Sequence, residues 1–189
     1  MPSKNGMFLH KTTPTDIKEG LWWEEHCVRR QGGYDLDTTN LPTGFRWLPK
    51  GAVLAFKASN GKVELVKTAV VTANAAINAT SLTIVDNGLW KVGDTIAGSE
   101  ISAISTSDGV ATLTVAALTA AVSKDDVVAD ANVSNVIGLA YETTDLQDND
   151  YPQVSVTLQA YEIEEDTLPY PVNSAIKSAL GALHQFKVQ

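Results

Sequence analysis

Apolar and polar residues alternate with a period of two in several short stretches of the chain, the pattern of half-buried strands, and one stretch near the C-terminus shifts to the period of a helix. Leu82-Thr83-Ile84-Val85 alternates in this way, Asp86-Asn87-Gly88 supplies a turn, and Trp90-Lys91-Val92-Gly93-Asp94-Thr95-Ile96 begins again. About thirty residues later the pattern returns, because Leu113-Thr114-Val115 echoes Leu82-Thr83-Ile84 and Asp126-Val127-Val128-Ala129 echoes Asp94-Thr95-Ile96-Ala97. The repetition predicts a small β-module over 72–133, made of two strand-turn-strand units whose halves cover each other's apolar faces.

On either side of the module the alternation predicts a second, discontinuous unit. Residues 51–57 read as a strand, Ser59-Asn60-Gly61 as a tight turn suited to positive φ, and 62–71 as the returning strand. Beyond the module, 135–142 reads as a strand and 143–152 as a polar loop. Val154, Val156, Leu158 and Ala160 then alternate with Ser155, Thr157, Gln159 and Tyr161, which predicts a strand with one buried face. The two outer segments are expected to share one sheet.

At the C-terminus Val172, Ala175, Ile176, Ala179, Leu180 and Leu183 recur at spacings of three and four, predicting an amphipathic helix of roughly three turns. Pro171 suits its first position, and 184–188 can add a short last strand. The helix face bearing Ile176 and Leu180 can close the chain's own sheet or pack against another copy. The expected fold is mainly β: a discontinuous antiparallel host domain (48–71 plus 134–189), an inserted β-module (72–133) and one C-terminal helix.

Residues 1–20 show little periodicity and contain Pro2 and Pro14, so the expectation is an extended arm within an N-terminal region running to residue 47. Leu21-Trp22-Trp23-Glu24-Glu25-His26-Cys27-Val28 then concentrates bulky apolar groups before Gln31-Gly32-Gly33-Tyr34 interrupts it. Adjacent tryptophans cannot both point the same way, so one of Trp22 and Trp23 is expected to meet the domain and the other a different surface.

A 44% hydrophobic and 19% charged composition suits a folded chain rather than a disordered one. The formal net charge of −8 argues against nucleic acid as a partner, and Arg29-Arg30, the one pair of adjacent basic residues, reads more simply as a solvated loop than as a phosphate site. Cys27 is the sole cysteine, which excludes an intrachain disulfide or a cysteine metal cluster. No run approaches the ~20 apolar residues of a membrane helix, and the opening residues lack a signal-peptide core, so the expectation is synthesis in a cytoplasm and no membrane partner.

Catalytic patterns are sparse. His10, His26 and His184 stand in no zinc-binding or nucleophile motif, and the glycines fall at turns rather than in a phosphate-binding loop. Glu25-His26-Cys27 brings reactive residue types together, but a strand would turn His26 away from the other two. Asp145, Asp148 and Asp150 have metal-like spacing without the glycine and terminal glutamate of a calcium loop, and read as turn-capping residues. The run Glu162-Ile163-Glu164-Glu165-Asp166 reads as a charged strand end that discourages edge pairing. Trp90, beside Leu89 and Val92, reads as a packing residue more readily than as a sugar platform.

Leu48-Pro49-Lys50-Gly51-Ala52-Val53-Leu54-Ala55, followed by Val66-Lys67-Thr68-Ala69-Val70-Val71, resembles the opening of the tailed-bacteriophage head proteins that coat the capsid, the decoration and head-fibre base proteins. Val92-Gly93-Asp94-Thr95-Ile96 and the closing pair Ile137-Gly138-Leu139-Ala140-Tyr141 and Val154-Ser155-Val156-Thr157-Leu158 extend the similarity over about 48–163. The resemblance implies a virion structural protein, made in the bacterial host cytoplasm, that binds the major capsid protein on the outer capsid surface, often as a homotrimer, without catalysis or cofactor. It is associated with capsid decoration or host-cell attachment. No fibre or collagen-like repeat follows, which favours a compact decoration protein or fibre base. The partner-binding candidates are Trp22, Trp23, Arg29, Arg30 and Tyr34. A carbohydrate-binding or adhesive module using Trp90, Tyr141 and the 145–150 loop is the alternative, and a cysteine hydrolase built on Cys27 and His26 is the third reading.

Overall fold

The computed structural model describes residues 20–147 and 152–187. Its strands, in chain order, begin with the short β1 (Val28–Arg29), β2 (Tyr34–Asp35) and β3 (Trp47–Leu48). The first long hairpin follows as β4 (Val53–Lys57) and β5 (Lys62–Leu65), then β6 (Thr68–Val70). The inserted segment carries β7 (Ser81–Val85), β8 (Thr95–Ile96), β9 (Ser99–Ser107), β10 (Val110–Val115) and β11 (Val127–Ala129). The chain closes with β12 (Val136–Leu139), β13 (Thr144–Asp145), β14 (Gln153–Val154), β15 (Thr157–Ile163), the helix α1 (Ser174–Leu180) and β16 (His184–Phe186). The described residues are therefore mainly β, arranged in several antiparallel sheets with one C-terminal α-helix.

The sheet β12-β4-β5 contributes residues to both hydrophobic cores. Val53-Leu54-Ala55-Phe56 lacks polar alternation because β4 is buried on both faces: Leu54 joins one core, and Val53 and Ala55 join another. The larger core continues from Leu54, Val63 and Leu65 through Ala69 and Val71 into Leu82, Ile84, Trp90, Ile101 and Leu113 of the inserted segment. The second joins Leu21 and Trp22 to Val136, Leu139, Ile163, Ile176 and Leu180. Helix α1 thus turns Ile176 and Leu180 into its own chain, and that face is not available to a second copy.

In the inserted segment the sheet order is β7-β10-β9-β8. The echoing stretches lie side by side instead of face to face, with Leu113 opposite Leu82 and Ala111 opposite Ile84. Their apolar face is covered by the core shared with the β12-β4-β5 sheet, which corrects the expectation of two mutually covering halves. The strand at 99–107, which the alternation did not mark, pairs with β10 through a two-residue Asp108-Gly109 turn with φ of 51° and 76°, the geometry that matches strand twist.

The hairpin at 53–65 forms with a four-residue loop, 58–61, in which Gly61 alone takes positive φ, at 72°. The returning strand does not run unbroken to residue 71. At Val66-Lys67 it leaves β4, and β6 pairs with β11. The β6–β11 ladder therefore ties 68–70 to 127–129 at the mouth of the insertion.

Three further corrections concern the C-terminal third. Leu158 is 43% exposed whereas Thr157 is buried, so the simple alternation from Val154 to Ala160 slips by one residue where the β1 pairing is irregular. β15 is the middle strand of β1-β15-β16, and Glu164 and Glu165 pair with Lys187 and Lys177, so the acidic run does not guard a free edge. Helix α1 covers seven residues rather than three turns, because the Asn173 side chain accepts from the Ile176 amide at 2.9 Å and Gly181 ends it with φ 66°. Pro171 accordingly lies before the cap, not at the first helical position.

Candidate functional site

The aromatic segment is stitched onto the domain residue by residue. Trp23 N–H donates to the Tyr161 carbonyl at 2.9 Å, Arg30 N–H donates to Val156 at 3.0 Å, and β1 and β2 pair with β15 and β14. Between those strands the chain must reverse close to Val154. A Cβ on Gly33 would lie 2.8 Å from the Val154 carbonyl oxygen, and Gly33 has φ +63°, so glycine is required there twice over.

The two tryptophans separate as their adjacency demands. Trp22 is 5% exposed and enters the second core, while Trp23 is 51% exposed. Trp22 packs against Tyr141 at 6.4 Å between centroids, and the Trp23 ring meets the His26 ring edge-on at 4.0 Å. Residues 24–26 form a 3-10 turn instead of the strand considered from sequence.

Cations lie over this aromatic row. The Arg29 guanidinium sits 4.7 Å from the Tyr141 ring centre, and that of Arg30 sits 4.2 Å from Tyr34 while also donating to the Tyr34 hydroxyl. Lys50 Nζ lies 4.8 Å over Trp22 and binds Glu24 at 2.9 Å. Burial opposes ionisation of Glu24, but hydrogen bonds from Tyr141 and Lys50 outweigh it and hold the carboxyl below its ordinary range. Beside the row is an open cleft of about 400 Å³ bordered by Arg29, Arg30, Gly32, Gly33, Glu142 and Ser155.

Of the five partner-binding candidates, Arg29 and Arg30 are exposed and border the cleft, Tyr34 lies half-buried under Arg30, Trp22 is buried beneath Lys50 and Tyr141, and Trp23 is exposed beside His26. Sequence reasoning missed Lys50 and Glu142, which carry no periodic signal and reach the face only through pairing at a distance in sequence. The described surface also leaves Val28 and Leu158 exposed on the neighbouring strands β1 and β15.

The other candidate groups sit differently. Trp90 is 9% exposed inside the main core, so its indole cannot serve as the sugar platform of the carbohydrate reading. Asp145 is held by the Arg46 guanidinium at 3.1 and 3.2 Å, and Asp148, Asp150 and His10 lie outside the described residues. Burial, reinforced by Glu24, pushes the Cys27 thiol up to about 11, the wrong direction for a nucleophile. His184 is buried against Thr157 Oγ1 and the Leu180 carbonyl, and burial lowers its affinity for a proton.

A second polar cluster was not foreseen. Lys67, 1% exposed, places Nζ 2.6 Å from Asp94, and its amide donates to Asp130 at 3.1 Å beside a cavity of about 200 Å³. The only sequence signal was a lysine in the strand read over 62–71, between Val66 and Thr68. Compared with protein-family models, curated proteins and solved structures, the chain finds no match.

Proposed function

We propose that this chain is a non-catalytic structural protein of a bacteriophage virion that attaches to the outer capsid surface through the Trp23–Arg30 face. The observation that carries the reading is the division of labour between Trp22 and Trp23. One indole is locked in the core, and that burial, with the bond from the Trp23 amide to the Tyr161 carbonyl, holds its half-exposed neighbour in place on the segment that also carries two arginines over tyrosine rings. Tryptophan, tyrosine and arginine are the residue types that contribute most to protein-protein binding, and rigid presentation lowers the entropy lost on docking.

The likeness of 48–163 to capsid-coating proteins supports a protein shell as the partner. The chemistry of the reactive groups supports a structural role: Cys27 is held as a thiol, His184 is tied into the core, and Lys67 is committed to an ion pair. Association into a trimer would use surface other than the Ile176–Leu180 helix face, which is spent inside the monomer.

Co-sedimentation with assembled, undecorated heads tests the reading. Wild type should pellet with heads, and Trp23→Ala should remain in the supernatant while keeping its fold. Trp22→Ala is not a substitute, because it opens a cavity in the second core. Failure of wild type to pellet, or equal pelleting of Trp23→Ala, would reject this face as the docking surface.

A further inference from the structure

Arg29 and Arg30 differ from the other cations of the face in what holds them. The ion pairs among the described residues engage Arg46, Lys50, Lys57, Lys67, Lys177 and Lys187, whereas the Arg29 and Arg30 guanidiniums are held by tyrosine rings. Both border the 400 Å³ cleft, in a chain whose net charge is −8. We propose that this cleft is a carboxylate-binding site that takes an acidic side chain of the partner protein. The proposal rests on the docking reading and specifies the chemistry that the partner must present.

The geometry argues for it in three steps. The Tyr141 and Tyr34 rings, 4.7 and 4.2 Å from the Arg29 and Arg30 guanidinium carbons, restrain both side chains, and the bond from Arg30 Nη1 to the Tyr34 hydroxyl leaves its remaining N–H groups for a carboxylate. Gly32, where an added Cβ would meet nothing within 4 Å, contributes only backbone to a lining that also includes Gln31 and Gln153. Glu142 borders the opposite side, where it accepts from Ser155 Oγ at 3.1 Å. Two guanidiniums and one carboxylate border the cleft, a net single positive charge that leaves room for one added negative charge. The excess suits one Asp or Glu side chain and not a polyphosphate, and the overall negative field further repels nucleic acid.

The test titrates the full chain by calorimetry with three probes: a short capped peptide of alternating Glu and Gly, its Gln-for-Glu counterpart, and a short oligothymidylate. The Glu peptide should bind, the Gln peptide should bind at least about tenfold more weakly, and Arg29→Gln or Arg30→Gln should weaken the Glu peptide by a similar factor. Arg30→Lys should recover only part of the loss, because it restores charge without the planar fork. Unchanged urea midpoints would show that these exposed substitutions leave the fold intact. Equal binding of the Glu and Gln peptides, wild-type affinity in both arginine variants, or tighter binding of the oligonucleotide would overturn the proposal. Head sedimentation separates this failure from that of the docking reading. If wild type pellets, Trp23→Ala does not, and the Glu peptide fails to bind, the carboxylate cleft falls while the docking face stands.

Discussion

Lys67 Nζ lies 2.6 Å from Asp94 Oδ2, and this ion pair joins the break between β5 and β6 to the loop before β8. Lys67 is 1% exposed, and the Asp94 side chain 11%. Asp130 completes the junction by exchanging backbone bonds with Lys67, at 3.1 Å through its side chain and 2.9 Å through its amide. Removing one partner of a buried pair strands the other charge, so Lys67→Met or Asp94→Asn should each cost about 3–5 kcal/mol. The double variant should lose less than the sum, since neither member of the pair is left charged without the other. Urea denaturation reads this directly, and additive losses would show that the two groups are not coupled.

Asp130 gives the same junction a pH dependence. Burial pushes its carboxyl up to about 6, against the opposing hydrogen bonds from the Lys67 and Asn132 amides and the Lys67 charge. An unfolded aspartate titrates near about 3.9. The folded chain therefore holds this proton more tightly, and the group's stability contribution is fully present below about 4 and is lost as pH rises through 6. Asp37 and His184 act in the other direction. Asp37 is held well below its ordinary range, since hydrogen bonds from Lys57, Thr39 and Asn60 outweigh the effect of burial, and its contribution disappears as pH falls below about 4. Burial lowers His184, whose contribution is lost as pH falls beneath the usual imidazole range. The difference between wild type and Asp130→Asn isolates the one group. Acidification from about 7.5 to 4.5 should stabilise wild type relative to Asp130→Asn by on the order of 2 kcal/mol. Parallel stability curves for the two proteins would remove Asp130 as the cause.

Gly138 brings β12 directly against the backbone at the start of β15. A Cβ there would stand 2.1 Å from the Thr157 carbonyl oxygen and 2.7 Å from Val156 Cγ1. The obstacle is mostly backbone, and the same strand segment hydrogen-bonds Leu139 N–H to Thr157 Oγ1 at 2.9 Å, so neither side can move cheaply. Gly138→Ala should destabilise by about 3 kcal/mol or more, well beyond the usual effect of adding one methyl group. Thermal melting decides it: a midpoint within about 2 °C of wild type would mean that the two strands part more easily than this packing implies.

What the sequence disclosed follows from range. Period-two alternation is written locally, so β5, β7 and β10 could be read directly, β4 was legible as a short apolar run ahead of a turn, and the separation of Trp22 from Trp23 followed from adjacency alone. Thr157 broke the pattern because its hydroxyl is buried as a partner for Leu139 and His184, a requirement set by two distant strands. β9 escaped notice because serine and threonine occupy positions where an amphipathic strand usually shows larger apolar groups. For the candidate site, the residues of the continuous segment 22–34 were legible. Lys50, Tyr141 and Glu142 became its neighbours only through the turn before β4 and the end of β12, and Asp94 and Asp130 had no local mark tying them to Lys67.

Cys27 offers a chemical check on the non-catalytic reading. Its thiol is half-buried beside Glu24, and burial, with that negative charge, raises it to about 11. Near neutral pH the thiolate fraction should be on the order of 10²-fold below that of a free cysteine, and alkylation by iodoacetamide should slow correspondingly. Glu24→Gln should accelerate labelling modestly, because it removes the second cause and leaves burial in place. Urea should abolish the protection altogether as the segment detaches from β15. Stopped-time labelling followed by mass spectrometry measures all three rates. If the folded chain labels as fast as the unfolded one, Cys27 is a reactive thiol, and a cysteine-based activity returns to consideration.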